Sequence, residues 1–302
     1  MDYPPSVTIV EVGPRDGLQN EAHFIPTSDK VSFINALSET GLSHIEVTSF
    51  VSAKAIPQLA DNQAVIATID NPSNVHYSVL IPNEQGMQQA IACGIKEIAV
   101  FTSASETFNQ RNINCSIAES IIRFKPVFAL AKTHNIQVRA YISCVLGCPY
   151  EGDILPATVS DIASQLLKLG ANEISLGDTI GVGTPKQTKA LLNILLKDIP
   201  ATQLAMHFHN TYGQAIANIV ASLEHNITRF DSSVAGLGGC PYARGATGNV
   251  ATEDVLYLMH GLGIYTGVDI YKMVTIGQDM CRLLNRRNQS HVANALLANN
   301  RG

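Results

Sequence analysis

Eight short apolar runs, each rich in valine and isoleucine and each followed by a stretch with helical patterning, constrain this chain more than any other feature. They occupy residues 7–12, 44–49, 76–81, 97–102, 138–143, 173–177, 204–209 and 230–235. Alternation of strand and helix throughout implies a parallel sheet with helices outside it. Eight such units in about 250 residues are what a closed (β/α)8 barrel needs. A doubly wound open sheet is the competing arrangement, but no Gly-x-Gly-x-x-Gly follows the first run. The expected fold is therefore α/β, a (β/α)8 TIM barrel. Residues 1–302 are expected to form a single catalytic domain, with additional C-terminal helix over 271–284 and then a polar tail.

The intervening segments carry helix punctuation. Thr27 or Ser28 can cap a helix whose Val31, Ile34 and Leu37 share a face and which Gly41 can end. Ser116 and Glu119 have capping-box spacing, and Pro126 in the same segment predicts a kink or break. Ile162, Leu166 and Leu169 form a stripe that stops at Gly170. Thr184-Pro185 is a cap followed by proline in the first helical position.

Composition narrows the function. A chain with 46% hydrophobic and 15% charged residues buries a substantial core. A net charge of -5 with no basic cluster argues against a nucleic-acid surface. No apolar run approaches the roughly eighteen residues of a membrane span. Six cysteines are too sparse for a disulfide scaffold and read as reduced thiols. With neither an apolar leader nor an Arg-rich transit peptide at 1–5, a cytoplasmic protein is expected.

In such a barrel, chemistry gathers where strands end at their carboxyl termini. The first run ends in Glu11 followed by Arg15, Asp16, Gln19 and Asn20; the second carries Glu46 and Ser49. The fifth ends at Tyr141, Ser143 and Cys144, the sixth at Asp178, and the seventh in His207-Phe-His209-Asn210. The eighth feeds a stretch, residues 233–254, with five glycines around Cys240, Arg244, Asn249 and Glu253. Five glycines in one ordered loop suggest unusual dihedrals or a ligand close to the backbone.

Strand alternation points His207 and His209 to one face, about 7 Å apart along the chain. An isolated His-x-His is more often packing. At a strand end, with Asp16 and Asn249 available from neighbouring strands, it reads as half of a divalent-metal site. Two nitrogens and two oxygens suit Mg, Mn or another borderline first-row ion better than closed structural zinc. Arg15 beside Asp16 is either a plain ion pair or a permanent charge for a developing oxyanion. Cys240 is either a buried free thiol or an acid that delivers a proton to carbon. Cys144 and Cys148 have the spacing of a second metal pair, but without two further ligands packing is the simpler reading. Arg111, His134 and His291 read as solvated.

Together these motifs resemble the 3-hydroxy-3-methylglutaryl-CoA lyase family. The likeness runs through residues 10–21, 45–51, 143–152, 175–181, 207–210 and 233–254, and covers about residues 7–284. The Arg-Asp-Gly and His-x-His elements are shared with a wider metal-dependent superfamily that includes isopropylmalate and homocitrate synthases. The Gly-Leu-Gly-Gly-Cys-Pro-Tyr-Ala loop is narrower and looks like the lyase. The resemblance implies a divalent cation, Mg or Mn, on Asp16, His207, His209 and Asn249. It implies Arg15 neutralising a thioester enolate, and Cys240 on a mobile loop over the substrate. Glu46, Asp178 and Glu253 become supporting or proton-handling groups, with Glu11 beside them, and His207 counts as catalytic as well as ligating. Ala22 departs from the lysine expected there in many relatives.

The implied partner is an acyl-CoA substrate, in a homo-oligomer taken as a dimer, with no nucleic acid and no membrane. The implied reaction is carbon–carbon cleavage of 3-hydroxy-3-methylglutaryl-CoA to acetoacetate and acetyl-CoA. A lyase for another hydroxyacyl-CoA and an acetyl-CoA-dependent Claisen-type synthase are the enzymatic alternatives. A barrel that binds metal or a partner without turnover is the non-enzymatic one.

Overall fold

The computed structural model describes residues 3–239 and 248–299. Its strands are β1 (Thr8–Glu11), β2 (His44–Ser49), β3 (His76–Leu80), β4 (Glu97–Ser103), β5 (Gln137–Ser143), β6 (Glu173–Asp178), β7 (Leu204–Phe208) and β8 (Arg229–Ser232). They pair in parallel in chain order, and β8 returns to β1 through Thr8–Arg229 to Glu11–Ser232, closing the barrel. The helices are α1 (Thr27–Ser38), α2 (Asn62–Thr68), α3 (Glu84–Ala92), α4 (Glu106–Ile113), α5 (Ile117–His134), α6 (Pro156–Leu169), α7 (Pro185–Leu195), α8 (Ala215–Leu223), α9 (Thr252–Gly261), α10 (Ile270–Leu283) and α11 (His291–Asn299). The (β/α)8 barrel with additional C-terminal helices expected from the run spacing is the fold observed.

Alternation along each strand sends one set of side chains out to the helices and the other into the ring. Outward, Ile45, Ile98, Ile142 and Leu176 meet the helical stripes, for instance Ile34 and Leu37 of α1 and Val159, Ile162 and Leu166 of α6. Each such side chain contributes about 1.5–3 kcal/mol by leaving water. Inward, the set is largely polar. Arg139 of β5 bonds Asp231 of β8, and Tyr141 of β5 bonds Glu46 of β2. Neither pair of strands is adjacent in the ring, so both bonds cross the interior.

The capping box at Ser116, the Gly170 terminus of α6 and the Thr184-Pro185 start of α7 are present. Four details differ from expectation. Thr27 does not cap α1: its hydroxyl bonds Asp61, and Pro26 holds the cap position. Pro126 does not break α5; Pro126 and Ile122 lie on the exposed face, where the carbonyl that loses its partner meets water. The eighth run leaves the sheet at Ser232, because buried carboxylates capture the next amides: Val234 N–H donates to Glu11 and Ala235 N–H to Glu253. The tail after 284 is not wholly irregular, because Asp254 accepts from Ser290 Oγ (2.7 Å) and the Val292 amide (2.9 Å) and so anchors α11.

Candidate active site

After β1 the chain makes one wide π-type turn, Gly13–Gly17, in which the amides of Asp16 and Gly17 share the Val12 carbonyl. Such turns hold an extra residue in a tight loop and recur at functional sites. Gly17 is required by close approach: a Cβ there would lie 2.8 Å from the Leu237 Cβ and 2.9 Å from Ser233 Oγ. Pressed against the β8 loop in this way, the turn presents Arg15 and Asp16 to the barrel mouth. Arg15 Nε pairs with Glu46, and its Nη1 with Asp16 Oδ1 at 2.7 Å. Burial works against the Arg15 charge, but Glu46 and Asp16 outweigh it and hold the guanidinium firmly protonated.

His207 and His209 extend from β7 into the same space, with ring centroids 5.3 Å apart. One ligand atom each from Asp16, His207 and His209 lies within 4.8 Å of the others, a group that could hold a metal ion. Asn249 joins them through a short extra pairing beside β7, where its backbone bridges His209 and Val250 N–H bonds Phe208 O. Its side-chain nitrogen donates to Asp16 Oδ2 at 2.8 Å. Gly238, at φ 108°, makes room for this, since a Cβ there would lie 2.8 Å from that nitrogen.

The protonation states fit a divalent ion. Burial pulls against ionised Asp16, but the Arg15 charge first of all, with the nearby imidazoles and the Asn249 hydrogen bond, keeps its carboxyl below the usual range. Burial and then the neighbouring His207 bring His209 down to about 4, so its imidazole is neutral with a lone pair to offer. A carboxylate and imidazole nitrogens form a donor set for a borderline divalent cation. Among the described residues His209 Nδ1 is buried without a hydrogen-bond partner. The trio borders a cavity of about 490 Å³ that Phe101, Phe108 and Tyr141 also line.

Asp178, at the end of β6, is fully buried. Its Oδ2 accepts the Gly183 amide at 3.0 Å, while Oδ1 has no partner among the described residues. Burial, opposed by backbone amides and His207, pushes it up to about 6. Glu11 and Glu253 do not line the cavity; they sit behind the mouth and hold the backbone of 233–235. Burial raises Glu11 to about 7 and Glu253 to about 8. Cys240 and Arg244 lie outside the described residues. Cys148 Sγ donates to Ser105 Oγ at 3.0 Å and packs with Cys144 and Phe108, as the packing reading had it. Arg111 lies over the Tyr150 ring, 4.3 Å from its centroid.

Beneath the trio lies a set of residues that the sequence did not single out. Asp231 Oδ2 faces His207 Nδ1 at 3.2 Å and accepts from Ser175 Oγ at 2.8 Å; its Oδ1 accepts from Arg139 Nη2 at 2.5 Å. The available signal was alternation. In β5, Arg139, Tyr141 and Ser143 share the inward face, and a lone arginine in an apolar run is expensive unless paired.

A closed (β/α)8 barrel with a carboxylate and two imidazoles converging at its carboxyl-terminal mouth defines the class: a barrel enzyme with a candidate divalent-metal centre. Residues 6–280 match the HMGL-like family model. The chain is 55% identical over 298 residues, covering 99% of both proteins, to the Pseudomonas aeruginosa protein named 3-hydroxy-3-isohexenylglutaryl-CoA/hydroxy-methylglutaryl-CoA lyase. It superimposes with a TM-score of 0.97 on a crystal structure of hydroxymethylglutaryl-CoA lyase from that organism, at 55% identity, covering 99% of this chain and 100% of the other. A structure of an HMG-CoA lyase from Acinetobacter baumannii with coenzyme A and 3-methylmalate matches at a TM-score of 0.93 and 37% identity, covering 98% and 96%. The chain belongs to the HMGL-like family, as an enzyme of the hydroxymethylglutaryl-CoA lyase group. No helix among the described residues is long and apolar enough to cross a membrane.

Proposed function

We propose that this enzyme cleaves 3-hydroxy-3-methylglutaryl-CoA to acetoacetate and acetyl-CoA, with Mg or Mn held by Asp16, His207, His209 and Asn249. The observation that carries this reading is the convergence of Asp16, His207 and His209 within 4.8 Å beside the cavity. A divalent ion bound there supplies Lewis acidity: it lowers the pKa of a substrate hydroxyl and orients the oxygens around the bond to be broken.

The chain's own groups do the rest. The hydroxyl proton leaves to water in the cavity; Asp178, raised to about 6, lies behind the cavity wall formed by its neighbours Gly177 and Thr179 and is assigned a supporting role there. As the C2–C3 bond breaks, its electrons move onto the thioester as an enolate. Arg15, fixed by Glu46 and Asp16 and kept charged, faces that developing oxyanion. A well-placed donor of this kind is worth about 3–4 kcal/mol. Glu46 acts through Arg15, and Glu253 through the backbone that it holds. Cys240, eight positions beyond the end of β8 in the sequence, is assigned to protonate the enolate carbon to give acetyl-CoA.

The test is acetyl-CoA release from hydroxymethylglutaryl-CoA in chelator, then with Mg or Mn restored. Turnover should stop and return; metal-independent turnover, or none under any condition, would remove the reading. The Pseudomonas relative is also named for an isohexenyl substituent, so a longer-branched hydroxyacyl-CoA is the alternative substrate. It is decided by comparing kcat/KM for the two in the same assay.

A further inference from the structure

We propose, resting on the metal-dependent reading above, that Asp231 and Arg139 are the positioning pair of this site: Asp231 fixes the His207 ring with Nδ1–H inward and Nε2 toward the ion, and Arg139 holds Asp231 in that attitude. Neither touches the cavity; both act through other side chains.

The hydrogen-bond directions lead to this assignment. Asp231 lies between an arginine and a serine hydroxyl, so its oxygens act as acceptors: Oδ1 takes Arg139 Nη2, and Oδ2 takes Ser175 Oγ and faces His207 Nδ1. An acceptor opposite Nδ1 requires the proton on Nδ1, which leaves the Nε2 lone pair of a neutral ring for an ion. His209 has no such fixture: its Nδ1 is without a partner among the described residues. Of the two imidazoles, His207 is thus the one whose tautomer the protein dictates. Asp231, at 2% exposure, and Arg139, at 3%, have almost no contact with water, so neither can exchange partners cheaply.

Arg139 is pinned on three sides. Nε donates to Glu173 Oε1 at 2.6 Å, Nη2 to Asp231, and Nη1 to Tyr141 Oη at 3.2 Å. Tyr141 accepts that bond and has one proton to give, which goes to Glu46 Oε2 at 2.9 Å. Glu46 in turn grips Arg15. Arg139 therefore stands at a fork: one arm ends on His207 and the other on the Arg15 guanidinium. A guanidinium suits this place because its planar donors meet three acceptors at once, which an ammonium cannot reproduce.

The test is Mn²⁺ affinity, read by electron paramagnetic resonance of free Mn²⁺, for wild type, Asp231→Asn, Arg139→Met and the milder Ser175→Ala, each with a circular-dichroism melt. Asp231→Asn should bind about tenfold to a hundredfold more weakly, Arg139→Met should move the same way, and Ser175→Ala should move less. A purely structural role would lower melting temperature and leave the affinity of folded protein unchanged, and that result overturns the proposal. Should the Asp231 and Arg139 variants not fold, the tautomer of His207 in ¹⁵N-histidine-labelled wild type decides: an Nδ1-protonated neutral ring supports the proposal, and an Nε2-protonated ring overturns it. Wild type that binds no Mn²⁺ at all overturns the metal reading as well, so the two failures are distinguishable.

Discussion

Asn249 and Asp16 stand 233 positions apart in the chain, yet the Asn249 amide nitrogen donates to Asp16 Oδ2 at 2.8 Å. The same nitrogen also reaches Leu237 O at 3.2 Å, which fixes the plane of the amide and leaves Oδ1 as the atom able to face an ion. Closing the barrel makes this contact possible: Asp16 follows β1, Asn249 pairs beside β7, and β8 lies between them in the ring.

Removing one imidazole should therefore cost binding before it costs fold. His209→Ala is expected to weaken Mn²⁺ binding by more than the roughly tenfold to hundredfold loss typical of an outer-shell partner. Calorimetric titration checks this; unchanged affinity would take His209 off the ligand set.

Arg15 should show up in turnover. Arg15→Lys keeps a charge but cannot bond Glu46 and Asp16 from two nitrogens at once. A fall in kcat of about a hundredfold to a thousandfold is expected, with Mn²⁺ affinity far less affected. Steady-state acetyl-CoA release measures it, and a near-normal kcat would contradict the role.

Much of this site was legible in the sequence, for identifiable reasons. His207 and His209 share a face because strand side chains alternate, and Arg15 and Asp16 are neighbours at a strand end. Asp231 and Arg139 were hidden because their partners are distant in the chain, on neighbouring strands or across the barrel: Arg139 meets Asp231 at a separation of 92 residues. The early end of β8 and the presence of α11 were hidden likewise, since both depend on carboxylates from distant segments, Glu11 and Asp254. Local patterning reports faces and caps. It does not report which distant carboxylate will bind a given amide.

Glu253 gives the fold a pH signature. Burial holds its carboxyl at about 8 instead of 4.5, so between those values the folded chain keeps a proton that the unfolded chain has lost. Stability from this group therefore falls as pH rises through that window and levels off above it. Glu253→Gln should flatten the decline in melting temperature between pH 5 and pH 8. Parallel curves for variant and wild type would contradict the assignment.

Gly17→Ala tests the fit of the Arg15–Asp16 turn against the β8 loop. The added methyl meets Leu237 and Ser233 inside 3 Å, so the turn must shift. A loss of about 1–3 kcal/mol in denaturant unfolding is expected, together with weaker metal binding because Asp16 moves with the turn. Wild-type stability would show that the contact relaxes freely.

Cys240→Ser separates proton delivery from ligation. Turnover should fall far more than Mn²⁺ affinity, read by the same two assays on one preparation. Equal losses would make the thiol a ligand or a structural group.

The most direct test of the central claim is an anomalous-diffraction map from a crystal soaked in Mn²⁺. One peak should appear about 2 Å from an Asp16 oxygen, from one nitrogen each of His207 and His209, and from Asn249 Oδ1. A peak elsewhere, or one that Asp16 or Asn249 cannot reach, would contradict it.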